Sequence, residues 1–286
     1  MADTFDYVIV GAGSAGCVLA NRLSADGRHS VCLLEAGPPD RNPFLHIPTG
    51  FVKIWNNPDL NWLYENEPSH WTGDRVIKTP RGKTLGGSSS INGNVYSRGQ
   101  PMDFDGWAQR GNRGWCYADV LPYFRRCEQW AGEGDDTYRG RQGKVRVTEL
   151  GWRHPLCEAF IEGATQLGIP RNADYNGARQ EGMAYAQRTV HKRRRVSTAR
   201  AYLKPAMSRP NLSIRTGAHA TRILPDGKRA VGVVYVEGGP DGAVAEVRAN
   251  REVILSGGAI NSPQLLHLSG IGPPSLLQGI GIDVKH

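Results

Sequence analysis

At 286 residues the chain has room for about two domains of roughly 150 residues each, which excludes a peptide or a disulfide knot. Hydrophobic residues at 39%, charged residues at 22% and the absence of low-complexity tracts describe a folded chain, not a disordered one. The net charge of +8 is scattered singly except for the run His191, Lys192, Arg193, Arg194 and Arg195, which has no interleaved aromatics to stack on bases and so argues against nucleic acid. The five cysteines (Cys17, Cys32, Cys116, Cys127 and Cys157) form no CxxC pair, so neither a zinc site nor a disulfide framework is expected, and a reducing compartment is. The N-terminus carries acids where a signal peptide would carry bases, and no apolar run reaches the ~18 residues of a membrane span. The expected location is the cytoplasm.

In chain order, Phe5 to Val10 reads as a buried parallel strand that runs directly into glycines. Ala15, Val18, Leu19 and Leu23 then repeat at helical spacing, and Val31 to Leu34 forms a second strand ending at Glu35. Residues 37–80 are punctuated by seven prolines around Phe44, Phe51, Trp55, Trp62, Tyr64 and Trp71, which reads either as a lid or as an irregular loop packed on the domain. A strand is expected at Lys144 to Thr148, a helix at Pro155 to Leu167 and a strand at Met183 to Val190, forming a separate unit. Ser197 stands as the cap of a short helix. Four β-rich runs follow, Leu212 to Thr216, Val231 to Val236, Val244 to Val247 and Val253 to Ser256, read as a meander returning to the main sheet.

Gly11, Gly13 and Gly16 form GxGxxG between a strand and a helix, and Glu35 lies nineteen residues beyond the last glycine, at the end of the next strand. The physics asks for Gly11 at the tight turn, Gly13 where backbone approaches a pyrophosphate, and Gly16 where helix packs on sheet. The anion would sit on the helix N-terminus. Glu35 would accept from both hydroxyls of an adenosine ribose and repel a 2′-phosphate, which disfavours NADP and leaves FAD or NAD.

The segment Arg81 to Asp105, RGKTLGGSSSINGNVYSRGQPMDFD, is a pliable hydrogen-bonding wall suited to a polar ring system. It resembles the first signature of the glucose-methanol-choline (GMC) oxidoreductases, FAD-dependent alcohol dehydrogenases and oxidases, through Gly82, Leu85, Gly86, Gly87, Ser88, Ser89, Ile91, Asn92, Tyr96, Gly99 and Asp105. GGAINSPQLLHLSGIG, from Gly257 to Gly272, resembles the second signature; read from its residues alone, Ser262 caps a helix that opens at Pro263 and ends at Gly270. DYNGARQEG (Asp174 to Gly182) and RRRVSTARAYLKPA (Arg193 to Ala206) are similar to the branch that oxidises choline and other alcohols.

The resemblance implies an α/β fold: a Rossmann-like FAD-binding domain, parallel sheet with a β-meander, over 1–140 and 205–286, and part of an α+β substrate domain over 141–204. It implies that Gly11, Gly13, Ser14 and Ala15 hold the pyrophosphate, with Gly16 in the same cofactor-binding turn, Glu35 the ribose, Ser88, Asn92, Gly93 and Val95 the isoalloxazine side, Ala220 the adenine by its backbone, and Gly257 and Gly258 the ribityl chain. Some choline-oxidising members attach the flavin to a histidine where this chain has Ile91, so non-covalent FAD is expected. The implied partners are a small-molecule alcohol, oxidised to an aldehyde by hydride transfer to flavin N5, and an electron acceptor the residues do not specify. None of the eight histidines lies in a segment resembling the family's C-terminal catalytic region, so no catalytic residue and no metal ligand is assigned. The chain reads as ending before the catalytic histidine, with a non-catalytic FAD-binding fragment and an NAD-dependent dehydrogenase as the alternatives.

Overall fold

The computed structural model describes residues 2–239 and 241–286. The expected α/β architecture is present. Strand β1 (Asp3–Val10) becomes fully buried over its last three residues, helix α1 (Ser14–Leu23) follows, and all five residues of β2 (Val31–Glu35) are buried. Strands β3 (Leu212–Thr216), β4 (Ala218–Asp226), β5 (Arg229–Glu237) and β6 (Ala243–Leu255) complete a six-stranded sheet in the order β4-β5-β6-β1-β2-β3. The β6, β1, β2 and β3 neighbours run parallel, whereas β4, β5 and β6 form the antiparallel meander.

Alternation along the strands gives the sheet two apolar faces. Val8, Val10, Cys32, Leu34, Val233, Tyr235 and Val247 share one core with Leu265 of helix α2 (Gly258–Leu268). Ile9 and Leu33 point to the opposite face and are equally buried, as are Cys17 and Ala20 of α1. A short helix α3 (Pro274–Gly279) follows.

Three sequence expectations change. The runs Val244 to Val247 and Val253 to Ser256 belong to one thirteen-residue strand, because β6 passes from its antiparallel partner β5 (Gly232↔Arg248) to its parallel partner β1 (Asp3↔Val247, Val10↔Leu255). Helix α2 opens at Gly258, not at Pro263, which lies inside it. Its expected end holds: Gly270, at φ +85°, donates to the His267 carbonyl while Ile271 donates to that of Leu266. Met183 to Val190 is not a continuous strand; it makes isolated bridges through Met183 and Arg188, and only Val190–His191 pairs as a strand, with Arg194–Arg195.

By compactness the chain divides into two units, Met1–Asn92 with Ser197–His286, and Gly93–Val196. In the first, the proline-rich excursion folds as short turns opened by Pro43 and Pro48 and a two-stranded clasp, Tyr64–Glu65 with Lys78–Thr79. Leu45, Ile54, Leu60 and Ile91 give it a small core of its own. Ser197 caps as expected, its Oγ accepting from Arg200 N–H at 3.3 Å.

The second unit holds helices Pro101–Gln109, Tyr117–Cys127 and Pro155–Gln166 and a parallel pair, Glu128–Trp130 with Val145–Val147. At its centre the buried Glu128 carboxylate accepts from Arg98 Nη2 at 2.7 Å and from Arg139 Nη2 at 2.6 Å. Arg139 lies 4.0 Å from the centre of the Trp130 ring and also pairs with Asp174. Among the described residues no helix is long and apolar enough to cross a membrane, and no cluster of His, Cys, Asp and Glu is placed to hold a metal. The five cysteines are free thiols.

Candidate cofactor site

The three glycines after β1 serve three different needs. Gly11 turns the chain at φ +95°, and a Cβ there would stand 2.6 Å from the Ser256 carbonyl oxygen. A Cβ on Gly16 would stand 1.9 Å from the Gly11 oxygen, so α1 can lie on the turn only without one. Gly13, at φ −73°, meets nothing closer than 3.8 Å. The protein itself leaves room for a side chain at Gly13, and its absence keeps a wall of the adjoining cavity open.

That cavity, about 340 Å³, lies at the C-terminal ends of β1 and β2, with Val10, Leu34 and Leu255 in its lining. Parallel α/β sheets place ligands at this edge. Two helices begin on it. Neither Gly13 before α1 nor Gly257 before α2 offers a capping side chain, and neither first turn contains an acid. The leading N–H groups of both helices are therefore left to whatever fills the cavity, and both dipoles favour an anion.

A second glycine loop lies directly on the first. Gly86 N–H donates to the Ala12 carbonyl at 2.8 Å, and a Cβ on Gly87, which sits at φ +51°, would stand 2.7 Å from Gly13 Cα. A Cβ on Gly37 would stand 1.9 Å from the Lys83 oxygen, which pins the same loop against the end of β2. Ser88 thereby reaches the cavity, and its Oγ accepts from Gly82 N–H at 3.2 Å.

Glu35 is 5% exposed. Its carboxylate accepts from Ala12 N–H at 2.9 Å and Gly37 N–H at 3.0 Å, one to each oxygen, which leaves a lone pair on each for a ligand hydroxyl. Burial pushes its pKa up to about 7, against the pull of those two N–H groups and of Lys83. Cys17, beneath the turn, is pushed up to about 12 by burial and remains an inert thiol.

Of the expected cofactor residues, Gly11, Gly13, Ser14, Ala15, Glu35, Ser88, Ala220, Gly257 and Gly258 line this one cavity. Gly16 stands behind it as packing. Asn92 lies outside the lining, at the end of the first unit, donating through its N–H to the Ser88 carbonyl at 2.9 Å, and Gly93 and Val95 belong to the second unit. Ala220 lies on the edge strand β4 beside a bulge between Ala220 and Arg222, where backbone groups are released from the ladder.

Several lining residues were not among the expected ones: Trp62, Arg81, His219 and Asn261. Trp62 comes from the proline-rich excursion and packs edge-on to His219 at 5.4 Å between ring centres. Lys83 Nζ lies 5.1 Å from the centre of the Trp62 ring, and burial together with Lys83 lowers the His219 pKa. Tyr64 OH donates to Asn261 Oδ1 at 2.9 Å, tying the excursion to the first turn of α2. The sequence signal for this was the period-two pair Trp62 and Tyr64, whose rings stack on one side of the clasp.

Residues 5–284 match the family described as GMC oxidoreductase. The chain belongs to that family. It is 49% identical over 291 residues to the oxygen-dependent choline dehydrogenase of Photobacterium profundum, covering 100% of this chain and 50% of that one. Among solved structures, pyridoxine 4-oxidase from Mesorbium loti superposes with a TM-score of 0.91 at 35% identity, over 98% of this chain and 54% of that one. An FAD-dependent oxidoreductase from Chaetomium thermophilum does so with 0.91 at 31%, over 98% and 50%. This GMC chain thus spans about half the length of the curated relatives it matches.

Proposed function

We propose that this chain forms the FAD-binding part, and some of the substrate-binding part, of an enzyme that oxidises a primary alcohol, choline or a similar one, to the aldehyde. The observation that carries the reading is the convergence of two uncapped helix N-termini, an open glycine wall at Gly13 and the two-point acceptor Glu35 on one cavity. A pyrophosphate needs the first two features and a ribose diol the third. The edge backbone at Ala220, flanked by His219 and Trp62, suits an adenine. Asn92, Gly93 and Val95 are assigned to the isoalloxazine side by family position. The division between an FAD-binding domain over 1–140 and 205–286 and part of a substrate domain over 141–204 belongs to the same proposal; the compact units themselves divide at Asn92/Gly93 and Val196/Ser197.

FAD is held without a covalent bond in this reading. Ile91 is 2% exposed and packs with Leu45, Ile54 and Leu60, so this position presents no nucleophile. Bound FAD would supply the electron sink for the alcohol's hydride. This chain's own residues bind and orient it: the helix N-termini fix the phosphates, Glu35 fixes the ribose, and Trp62 and the Tyr64–Asn261 bond cover the cavity from the excursion. No proton-transfer role is assigned to a residue of this chain.

Titration of the purified chain with FAD, NAD and NADP tests the assignment. FAD should bind and the nicotinamide cofactors should not. Glu35→Ala should weaken FAD by about 1.5–3 kcal/mol, the range for hydrogen bonds to a charged acceptor. Unchanged FAD affinity in Glu35→Ala, or preferential NAD binding, would overturn it.

A further inference from the structure

The clasp of the proline-rich excursion has two sides. Trp62 and Arg81 line the cofactor cavity, and the Tyr64 ring stacks on that of Trp62. Leu63, Glu65, Lys78 and Pro80 alternate with these residues along the strands, and they line a second cavity of about 250 Å³, closed by Trp55 and Asn56. A buried amide sets its frame. Asn61, 2% exposed, donates through Nδ2 to the Trp55 carbonyl at 2.5 Å, and its Oδ1 accepts from the N–H groups of Leu63 at 3.2 Å and Arg81 at 2.9 Å. The same oxygen thereby holds Leu63 at φ +55°, a left-handed conformation that a leucine seldom takes. Tyr64 also borders this cavity, but its hydroxyl is committed to Asn261.

The groups left for an occupant are a carboxylate, an amine and an indole. Glu65 and Lys78 stand directly opposite each other across the clasp, where opposite charges ordinarily pair. They do not pair here: Lys78 Nζ turns to Asn56 Oδ1 at 3.2 Å, and Glu65 takes part in no ion pair among the described residues. Trp55 lines the same cavity and is 43% exposed. We propose that this second cavity binds a small zwitterion, an alkylated ammonium and a carboxylate a few atoms apart. The ammonium lies between the Glu65 carboxylate and the Trp55 ring, whose face attracts quaternary ammonium groups. The ligand carboxylate takes the donors that Lys78 Nζ keeps beyond its bond to Asn56. A lone cation would meet Lys78 and a lone anion would meet Glu65, so neither suits the cavity. Its volume is below the roughly 300 Å³ at which sites for drug-sized ligands begin, which limits the occupant's size. The inference does not rest on the flavin reading, since the cavity is lined from the other side of the clasp.

The test is isothermal titration of the purified chain with trimethylglycine, and with tetramethylammonium and acetate as its two charged halves. Trimethylglycine should bind at one site with a Kd of about 1 mM or tighter, and each half at least tenfold more weakly. Glu65→Gln and Lys78→Gln should each weaken trimethylglycine at least tenfold, and Trp55→Leu should remove its advantage over unmethylated glycine. The comparison of the three ligands on the wild-type chain needs no variant to fold. Absence of saturable trimethylglycine binding by about 10 mM, either half binding as tightly as the whole, or undiminished binding in both charge variants would overturn the proposal.

Discussion

Glu35 accepts two backbone hydrogen bonds at 5% exposure, and burial still outweighs them, with a pKa of about 7. A folded-state value above the unfolded one means that the folded chain holds an extra proton in between. In the ligand-free protein, this group's favourable contribution is therefore full below about pH 4.5 and lost as pH rises through about 7. Ribose hydroxyls donate to the ionised form, so FAD binding should expel that proton. Affinity should rise with pH through about 7, and calorimetry in buffers of different ionisation heat should show proton release in wild type and none in Glu35→Gln. The glycines separate in the same way. Gly13→Ala should cost at most about 1 kcal/mol of stability, the scale of an N-cap change, yet weaken FAD tenfold or more. Gly16→Ala places Cβ 1.9 Å from a backbone oxygen and should destabilise the fold itself by roughly 1–3 kcal/mol. Denaturant melts paired with FAD titrations tell the two apart. The sequence pattern named these positions, but only the local contacts separate the glycine that packing requires from the one that it does not.

Among the elements, β1, α1, β2 and β3 were legible because their apolar periodicity and bounding glycines agree. Strand β6 was not: Arg248, Asn250, Arg251 and Glu252 interrupt its apolar pattern where side chains face solvent, while the backbone continues from one neighbour to the next. Helix α2 misleads differently. Ser262 and Pro263 imitate a helix start, yet the helix opens at Gly258 on the cavity, and Pro263 withholds the N–H that would pair with the Ala259 carbonyl. The excursion could be read as lid or as packed loop, and it has features of both, with its own core and with Trp62 in the cavity lining. Its tie to α2 is the Tyr64–Asn261 hydrogen bond. Tyr64→Phe should therefore weaken FAD by about 0.5–1.5 kcal/mol, chiefly as faster release in stopped-flow displacement; an unchanged release rate would show that the excursion does not retain the ligand.

At the scale of the whole chain, the glycine turn, Glu35 and the Gly257–Gly258 helix start could be picked out by spacing because they are short motifs at strand ends, and the fold brings them onto one cavity. The second unit was less legible. Its centre is the ion network of Glu128, Arg98 and Arg139, residues scattered along the chain with no periodic signal. Glu128→Gln leaves two buried guanidinium groups short of charge and should cost about 3–5 kcal/mol, readable as an earlier unfolding transition in urea. The account as a whole stands on non-covalent occupancy of the first unit's cavity by FAD. The most direct measurement is to saturate the purified chain with FAD, remove excess by gel filtration, precipitate with acid and assay both fractions. One flavin per chain, all of it in the supernatant, is the predicted result; flavin in the pellet, or none retained through the column, would contradict it.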